Sequence, residues 1–323
     1  MSDLWQMEGS RRKAPSRVVA SAPAKLNLTL EVLGRRPDGY HDLASVLQAI
    51  TLHDEVDCRP DPEITFRCSQ PELAGQDNLV LRAARLLAAE VNPPTGAAIT
   101  LRKRIPIAAG LGGGSADAAA TLLALARLWQ LRLSPDFLLS LACQLGSDVP
   151  FFLGGATALA TGRGEDLHPL PPPVVLNVVI ARPAVEAPRE DKTRHLYSAL
   201  TPRDYRDGSS TFAVAEALRA SRPIEPTLLV NSFERAADEA FPMLPELRTK
   251  MLSAGAAWVR LCGSGPCLYT LVSSDYGHVA TRIALNLRKL GVETYREWTL
   301  TRPTAIKLAI SRPDETEAVD DPG

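Results

Sequence analysis

The sequence carries almost no net charge: 36 Lys and Arg stand against 37 Asp and Glu, leaving −1 at pH 7. No global basic field is available to draw in nucleic acid or an anionic membrane, so any anion must be held locally. Cysteine is scarce. The five residues, Cys58, Cys68, Cys143, Cys262 and Cys267, are odd in number and lack C-x-x-C spacing, and the five histidines are scattered. That pattern argues against a disulfide framework and against a zinc site. The cysteines read as reduced core thiols, which points to the cytoplasm. No apolar run has the length of a membrane span. The opening MSDLWQMEGSRRKAPS has charges around its few apolar residues and no apolar core of a secretory leader. Residues 1–16, and the acidic 313–323, are expected to be flexible extensions.

What is present suffices for two cores: 323 residues with 45% hydrophobic content. From Lys25 onward, Leu26, Leu28, Leu30 and Val32 alternate with Lys25, Asn27, Thr29 and Glu31, the pattern of a strand with one wet side. P-D-G at 37–39 marks a turn. L-A-S-V-L-Q-A-I-T-L and E-I-T-F-R-C predict further strands. D-N-L-V-L-R-A-A-R-L-L predicts an amphipathic helix with Asp77 or Asn78 as cap. A second helix is expected from Ser134 and Pro135 to Gly146. The proline cluster H-P-L-P-P-P breaks the pattern, and the domain boundary is placed there, giving 17–170 and 171–312. Strands and helices interleave through the second half as in a small α+β sandwich.

Residues 106–128 read P-I-A-A-G-L-G-G-G-S-A-D-A-A-A-T-L-L-A-L-A-R-L, with four glycines in five positions followed by strong helix formers. Glycine loses the most backbone entropy on folding, so such a cluster belongs where unusual dihedrals or close approach are required. Ser115 is expected at the helix entrance, with Asp117 complementing the macrodipole. A glycine loop feeding a helix start presents unpaired N–H groups to one point and suits phosphate. Three familiar phosphate signatures are nonetheless missing. The chain contains no Gly-Lys pair for a Walker A loop, no third glycine of a dinucleotide fingerprint where Ser115 stands, and neither H-R-D nor D-F-G.

The segment P-I-A-A-G-L-G-G-G-S-A-D-A-A resembles the nucleotide loop P-x-x-x-G-L-G-S-S-A-A of the galactokinase, homoserine kinase, mevalonate kinase and phosphomevalonate kinase superfamily, the GHMP kinases. Two further blocks fit its order: A-P-A-K-L-N-L near the N-terminus and the late glycine turn R-L-C-G-S-G-P-C. G-R-R-P-D-G-Y-H-D-L and L-G-S-D-V-P-F-F-L-G-G resemble the branch that phosphorylates a diphosphocytidyl sugar alcohol. The likeness spans most of residues 18–275. It weakens over V-E-A-P-R-E-D-K-T-R-H-L-Y, where relatives place a Ser/Thr-containing segment and this chain places charges.

The resemblance implies an α+β, two-domain GHMP kinase fold, its N-terminal part like domain 2 of ribosomal protein S5 and its C-terminal part a ferredoxin-like sandwich. It implies ATP and Mg²⁺ as cofactors and a small-molecule acceptor as the other partner, without nucleic acid or membrane. ATP falls to Pro106, Ile107, Ala108, Ala109, Gly110, Leu111, Gly112, Gly113, Gly114, Ser115 and Ala116, with the Ser115 hydroxyl offered towards Mg²⁺. Asp148 becomes the general base, and Lys25 the cation that holds it ionised in an apolar neighbourhood. From the residues alone, a surface lysine and a turn aspartate would serve as well. Asn27, Tyr40 and His41 fall to the acceptor, the last two at its cytosine, and Gly263, Ser264 and Gly265 to a turn facing it. A homoserine- or mevalonate-type kinase and a non-catalytic nucleotide or sugar sensor are the alternatives. The Y-H block argues against the first, and the Lys25–Asp148 couple against the second.

Overall fold

The computed structural model describes residues 14–184, 192–302 and 305–312. β1 (Arg17–Arg35) and β2 (His41–Asp61) form a long antiparallel hairpin around the P-D-G turn, where Gly39 takes φ 86°. β2 serves two neighbours: its residues 55–61 pair with β4 (Gly96–Arg102), and its residues 45–48 pair with β5 (Thr157–Thr161), which carries β6 (Asp166–Pro169). β3 (Ile64–Cys68) runs parallel to β4, with α1 (Leu79–Val91) crossing between them. The Asn78 side chain caps α1 by accepting from the Val80 amide. α2 (Gly113–Leu128), α3 (Pro135–Leu145) and α4 (Val149–Leu153) complete this lobe. Ala116, Ala118, Ala119, Ala120 and Ala124 of α2 are wholly buried. Residues this small let the helix lie close on the sheet, a packing that bulky side chains would prevent.

The second sheet has the order β10-β7-β9-β8, all antiparallel, from β7 (Leu176–Arg182), β8 (Arg260–Leu261), β9 (Leu268–Ser273) and β10 (Glu293–Trp298). α5 (Lys192–Ala199), α6 (Ser209–Arg219), α7 (Glu234–Ala240) and α8 (Leu244–Ser253) lie between β7 and β8, and α9 (Gly277–Lys289) between β9 and β10. This is the strand order of a ferredoxin-like sandwich.

Three expectations change. The chain does not divide cleanly at 170: β11 (Lys307–Ser311) returns to the edge of the first sheet, Arg17 opposite Ser311. Ala305 and Ile306 belong to the first core and Leu308 and Ile310 pack on it, so burial draws the strand back. α6 likewise packs on the hairpin, through Leu28, Val46, Val214 and Leu218. Secondly, the polar face of β1 is not wet: Lys25 and Asn27 are 6% exposed, Glu31 1% and Thr29 0%. The second lobe covers it, and Glu31 accepts from the Thr211 amide at 2.7 Å. Thirdly, Cys143 is exposed on α3 and Cys68 half-buried, leaving Cys58, Cys262 and Cys267 as the core thiols. The expected flexible extensions lie outside the described residues except for 14–16, where the Ser16 amide donates to Ser311 O at 3.1 Å.

Candidate active site

α2 starts earlier than its sequence suggests. Gly112 is the N-cap at φ 72°, and Ser115 is the third helical residue. A side chain at Gly112 would be strained at that dihedral and would place its Cβ 2.9 Å from Lys25 Cγ. The Ala116 amide makes the first helical bond, to Gly112 O at 3.0 Å. Ala116 is thereby removed from the expected anion donors: its amide is used and its methyl is buried. The amides of Gly113, Gly114 and Ser115 are the first-turn donors that an intrahelical acceptor cannot reach. Asp117 does not serve the helix end either. It turns inward to Lys103, whose ammonium lies 2.7 Å from Asp117 Oδ2 and 2.5 Å from Asp54 Oδ2.

The start of α2 opens on a cavity of about 1350 Å³ between the lobes. Pro106, Ile107, Ala108, Ala109, Gly110, Leu111, Gly112, Gly113, Gly114 and Ser115 all reach its wall, as do Lys25, Asn27 and Asp148. Lys25 Nζ lies 3.5 Å from Asp148 Oδ2, an ion-pair distance, and donates to Asn27 Oδ1 at 2.7 Å. Asn27 Nδ2 donates in turn to Ser45 Oγ at 2.8 Å, and Ser45 Oγ to Thr29 O at 2.6 Å. This chain of bonds fixes the rotamer of a lysine that is otherwise mobile. The Asp148 side chain is 41% exposed, more open than its Val-Pro-Phe-Phe context suggests. Val149, Pro150, Phe151 and Phe152 are buried as α4, and the carboxylate at their N-cap position makes no capping bond. It is therefore available to a hydroxyl in the cavity.

The far wall holds the acceptor-side residues. Gly263 and Ser264 reach it, whereas Gly265 does not: its amide donates to Cys262 O at 2.7 Å and its carbonyl accepts from Lys192. Asn231 Nδ2 fixes the turn by donating to Gly263 O at 2.8 Å and Leu261 O at 3.1 Å. Tyr40 is 59% exposed at the rim, with the Arg163 guanidinium 4.9 Å from its ring centre. His41 stacks on Tyr197 at 5.1 Å, with Tyr205 edge-on at 6.1 Å. Burial, and then Arg35, lowers the His41 imidazole below the usual histidine range, so near neutral pH the ring is uncharged and offers one donor and one acceptor.

Sequence reasoning missed Lys192, Tyr197, Tyr205 and Arg163, all on the cavity wall, and the Lys103–Asp54–Asp117 cluster. Lys192 and Tyr197 lie at the edge of the segment where the family likeness fades. The one available signal was K-T-R-H-L-Y itself, which sets a lysine and an aromatic in one short segment. In the buried cluster, burial opposes the charge on Lys103, but Asp117 and Asp54 raise it above the ordinary lysine range. Burial also raises Asp117, to about 8, with Asp54 adding to it and Lys103 opposing. Two acids share one ammonium, at 2.5 and 2.7 Å.

Two family models match the chain: GHMP kinases N terminal domain over residues 78–156, and GHMP kinases C terminal over residues 213–292. They define the class, a GHMP small-molecule kinase. The 4-diphosphocytidyl-2-C-methyl-D-erythritol kinase of Pelotomaculum thermopropionicum is 43% identical over 260 residues, 79% of this chain and 89% of that protein. A crystal structure of 4-(cytidine 5'-diphospho)-2C-methyl-D-erythritol kinase aligns with TM-score 0.73 at 36% identity, covering 87% of this chain and 98% of the other. Homoserine kinase from Cytophaga hutchinsonii aligns with TM-score 0.71 over 94% of this chain and 100% of its own, at 18% identity, a likeness of fold alone. The chain belongs to the GHMP kinase family, in the branch of the 4-diphosphocytidyl-2-C-methyl-D-erythritol kinases.

Proposed function

We propose that this chain transfers the γ-phosphoryl group of ATP to the 2-hydroxyl of 4-diphosphocytidyl-2-C-methyl-D-erythritol, a step of the non-mevalonate route to isoprenoid precursors. The observation that carries this reading is the Lys25–Asp148 pair, 3.5 Å apart, on the wall of the cavity into which α2 opens. Asp148 takes the proton of the acceptor hydroxyl as that oxygen bonds the γ-phosphorus, and the β–γ bridging oxygen leaves with ADP. Lys25, held by Asn27, keeps Asp148 ionised and offsets charge on the phosphoryl oxygens. The amides of Gly113, Gly114 and Ser115 hold phosphate oxygens of the donor. Gly113, Gly114 and Ser115 all lie on the cavity wall, and a Cβ at Gly114 would meet only Leu79 Cδ1, at 3.5 Å.

Among the described residues no cluster of His, Cys, Asp or Glu forms a metal site. A Mg²⁺ ion fits this chain as a companion of the nucleotide phosphates, with the Ser115 hydroxyl, which is on the cavity wall, as the protein ligand. When bound it neutralises phosphate charge. Tyr40, His41 and Tyr197 supply a ring face and edge donors and acceptors suited to a pyrimidine. A reaction between soluble metabolites suits the cytoplasm, and no helix among the described residues is long and apolar enough to cross a membrane. The test is ADP release by the purified protein with 4-diphosphocytidyl-2-C-methyl-D-erythritol, homoserine, mevalonate and galactose as acceptors, the phosphorylated position being read by phosphorus NMR. Turnover confined to the first, at its 2-hydroxyl, is the expected result. Turnover with another acceptor, or none, overturns it.

A further inference from the structure

Lys192, at the start of α5, is 9% exposed and lines the cavity. Its Nζ donates to Ala108 O at 2.7 Å and also to Gly265 O. One carbonyl belongs to the loop before α2 and the other to the glycine turn after β8, so a single ammonium spans the seam between the two lobes. Ala108 holds φ 53°, a left-handed conformation that alanine seldom adopts. Beside Lys192, Thr193 Oγ1 lies 3.1 Å from Ser264 Oγ on the same turn.

The charge balance here is unusual. Two carbonyls use two of the three ammonium donors, and among the described residues no carboxylate pairs with Lys192; Glu190 and Asp191 lie outside them. Burial lowers the ammonium to about 8, and Lys25 pushes the same way. The Cys267 and Cys262 thiols could oppose this only as thiolates. Burial raises Cys267 to about 12 and Cys262 well above its ordinary value, so both are neutral near pH 7. Lys25 and Lys192 thus line the same cavity, and the carboxylate paired with Lys25 is the half-open Asp148. A buried cation that no carboxylate of the described residues balances is costly, and an anionic ligand relieves that cost.

We propose that Lys192 is a further charged residue of the active site, contacting phosphoanhydride oxygens of the bound ligands from the seam between the two glycine loops. This rests on the kinase reading for the presence of two phosphate chains in one cavity: the triphosphate of the donor and the diphosphate of the acceptor. Phosphate binding and apposition of the loops are then one event, since the same ammonium holds both backbones.

The test uses Lys192→Gln, which keeps N–H donors for the two carbonyls and loses the charge, with Lys192→Met and Lys192→Arg beside it. Each is titrated with Mg²⁺–AMPPNP and, separately, with CDP, and its Tm is measured. Gln and Met are expected to bind one of the probes roughly 10- to 100-fold more weakly. The Tm of Gln without ligand stays level or rises, because a buried charge is removed and donors remain, whereas Met, which leaves the two carbonyls without a donor, lowers it. Arg recovers part of the affinity. A loss with AMPPNP assigns the contact to the donor, and a loss with CDP to the acceptor. Unchanged affinity for both probes in Gln overturns the proposal, and a drop in Tm with unchanged affinity makes Lys192 a structural tie only. Turnover of 4-diphosphocytidyl-2-C-methyl-D-erythritol by the unaltered chain separates this from the function itself. Where that turnover is present and the variants bind as the parent does, only the Lys192 assignment falls. Where it is absent but AMPPNP binding depends on Lys192, the kinase assignment falls and Lys192 stands.

Discussion

A Cβ at Gly110 would sit 1.8 Å from Cys262 O, and one at Gly263 would sit 2.7 Å from Gly110 O, whereas one at Gly114 would meet nothing closer than Leu79 Cδ1 at 3.5 Å. The loop before α2 therefore contains two kinds of glycine. At Gly110 the missing side chain lets the backbone of one lobe touch the turn of the other. At Gly114 a Cβ would meet one side-chain atom at ordinary contact distance, so the glycine serves no close backbone approach and stands among unpaired amides. In the turn at 263–265 only Gly263 is of the first kind, a Cβ at Gly265 meeting the Leu261 side chain instead, and the turn's backbone is spent on Asn231, Cys262 and Lys192. A glycine-rich segment can thus mark contact between protein backbones as readily as contact with a ligand, and the space around each Cβ tells the two apart.

The largest break in this comparison leaves both loops intact and removes the base. Asp148→Asn is expected to lower kcat by about 10²- to 10⁴-fold in steady-state assays, with the KM for ATP little changed. Gly110→Ala comes next, with a loss of stability of about 1–3 kcal/mol or more in urea unfolding, because the Cys262 carbonyl cannot give way cheaply. Gly114→Ala is its counterpart: at this helical position alanine gains up to about 1 kcal/mol, so a rise in the KM for ATP with no loss of Tm marks ligand space. Tyr40→Ala should raise the acceptor KM by roughly 5- to 100-fold, the worth of a stacked base, and leave the KM for ATP alone.

The last break is read along the pH axis and concerns Asp117, buried near the start of α2. Its folded value is raised to about 8 from an ordinary 3.8, so the folded state keeps a proton that the unfolded chain releases. The stability this contributes is complete below about pH 4 and is lost as pH rises through about 8. Asparagine does not ionise. The Tm of Asp117→Asn relative to the parent should therefore improve steadily between pH 5 and pH 8 in thermal scans, and a constant difference would contradict the raised value.

The parts legible in the sequence were those set by local rules. Alternation along β1, the Asn78 and Ser134 caps and the glycine loop all rest on neighbours within a few residues. Lys25 and Asp148 were paired in advance only through the family likeness, because nothing local shows that residues so far apart will meet. The errors have the same origin. The polar face of β1 reads as wet because its cover, α6 and the turn after β8, comes much later in the chain. Ser115 reads as a cap because serine commonly is one, but the left-handed Gly112 starts the helix first. Lys192 sits in a charged run that looks like a solvated surface until the fold buries it against two carbonyls.

The return of β11 to the first sheet constrains how the lobes can move. The backbone leaves the first lobe at 170–176, and after the second sheet Lys307–Ser311 is zipped to β1. The lobes also share a core, in which Ala24, Leu26, Ile50 and Leu52 of the hairpin pack with Val178, Ile180 and Tyr269 of the second sheet, so a rotation of one lobe on the other would have to open close-packed apolar contacts.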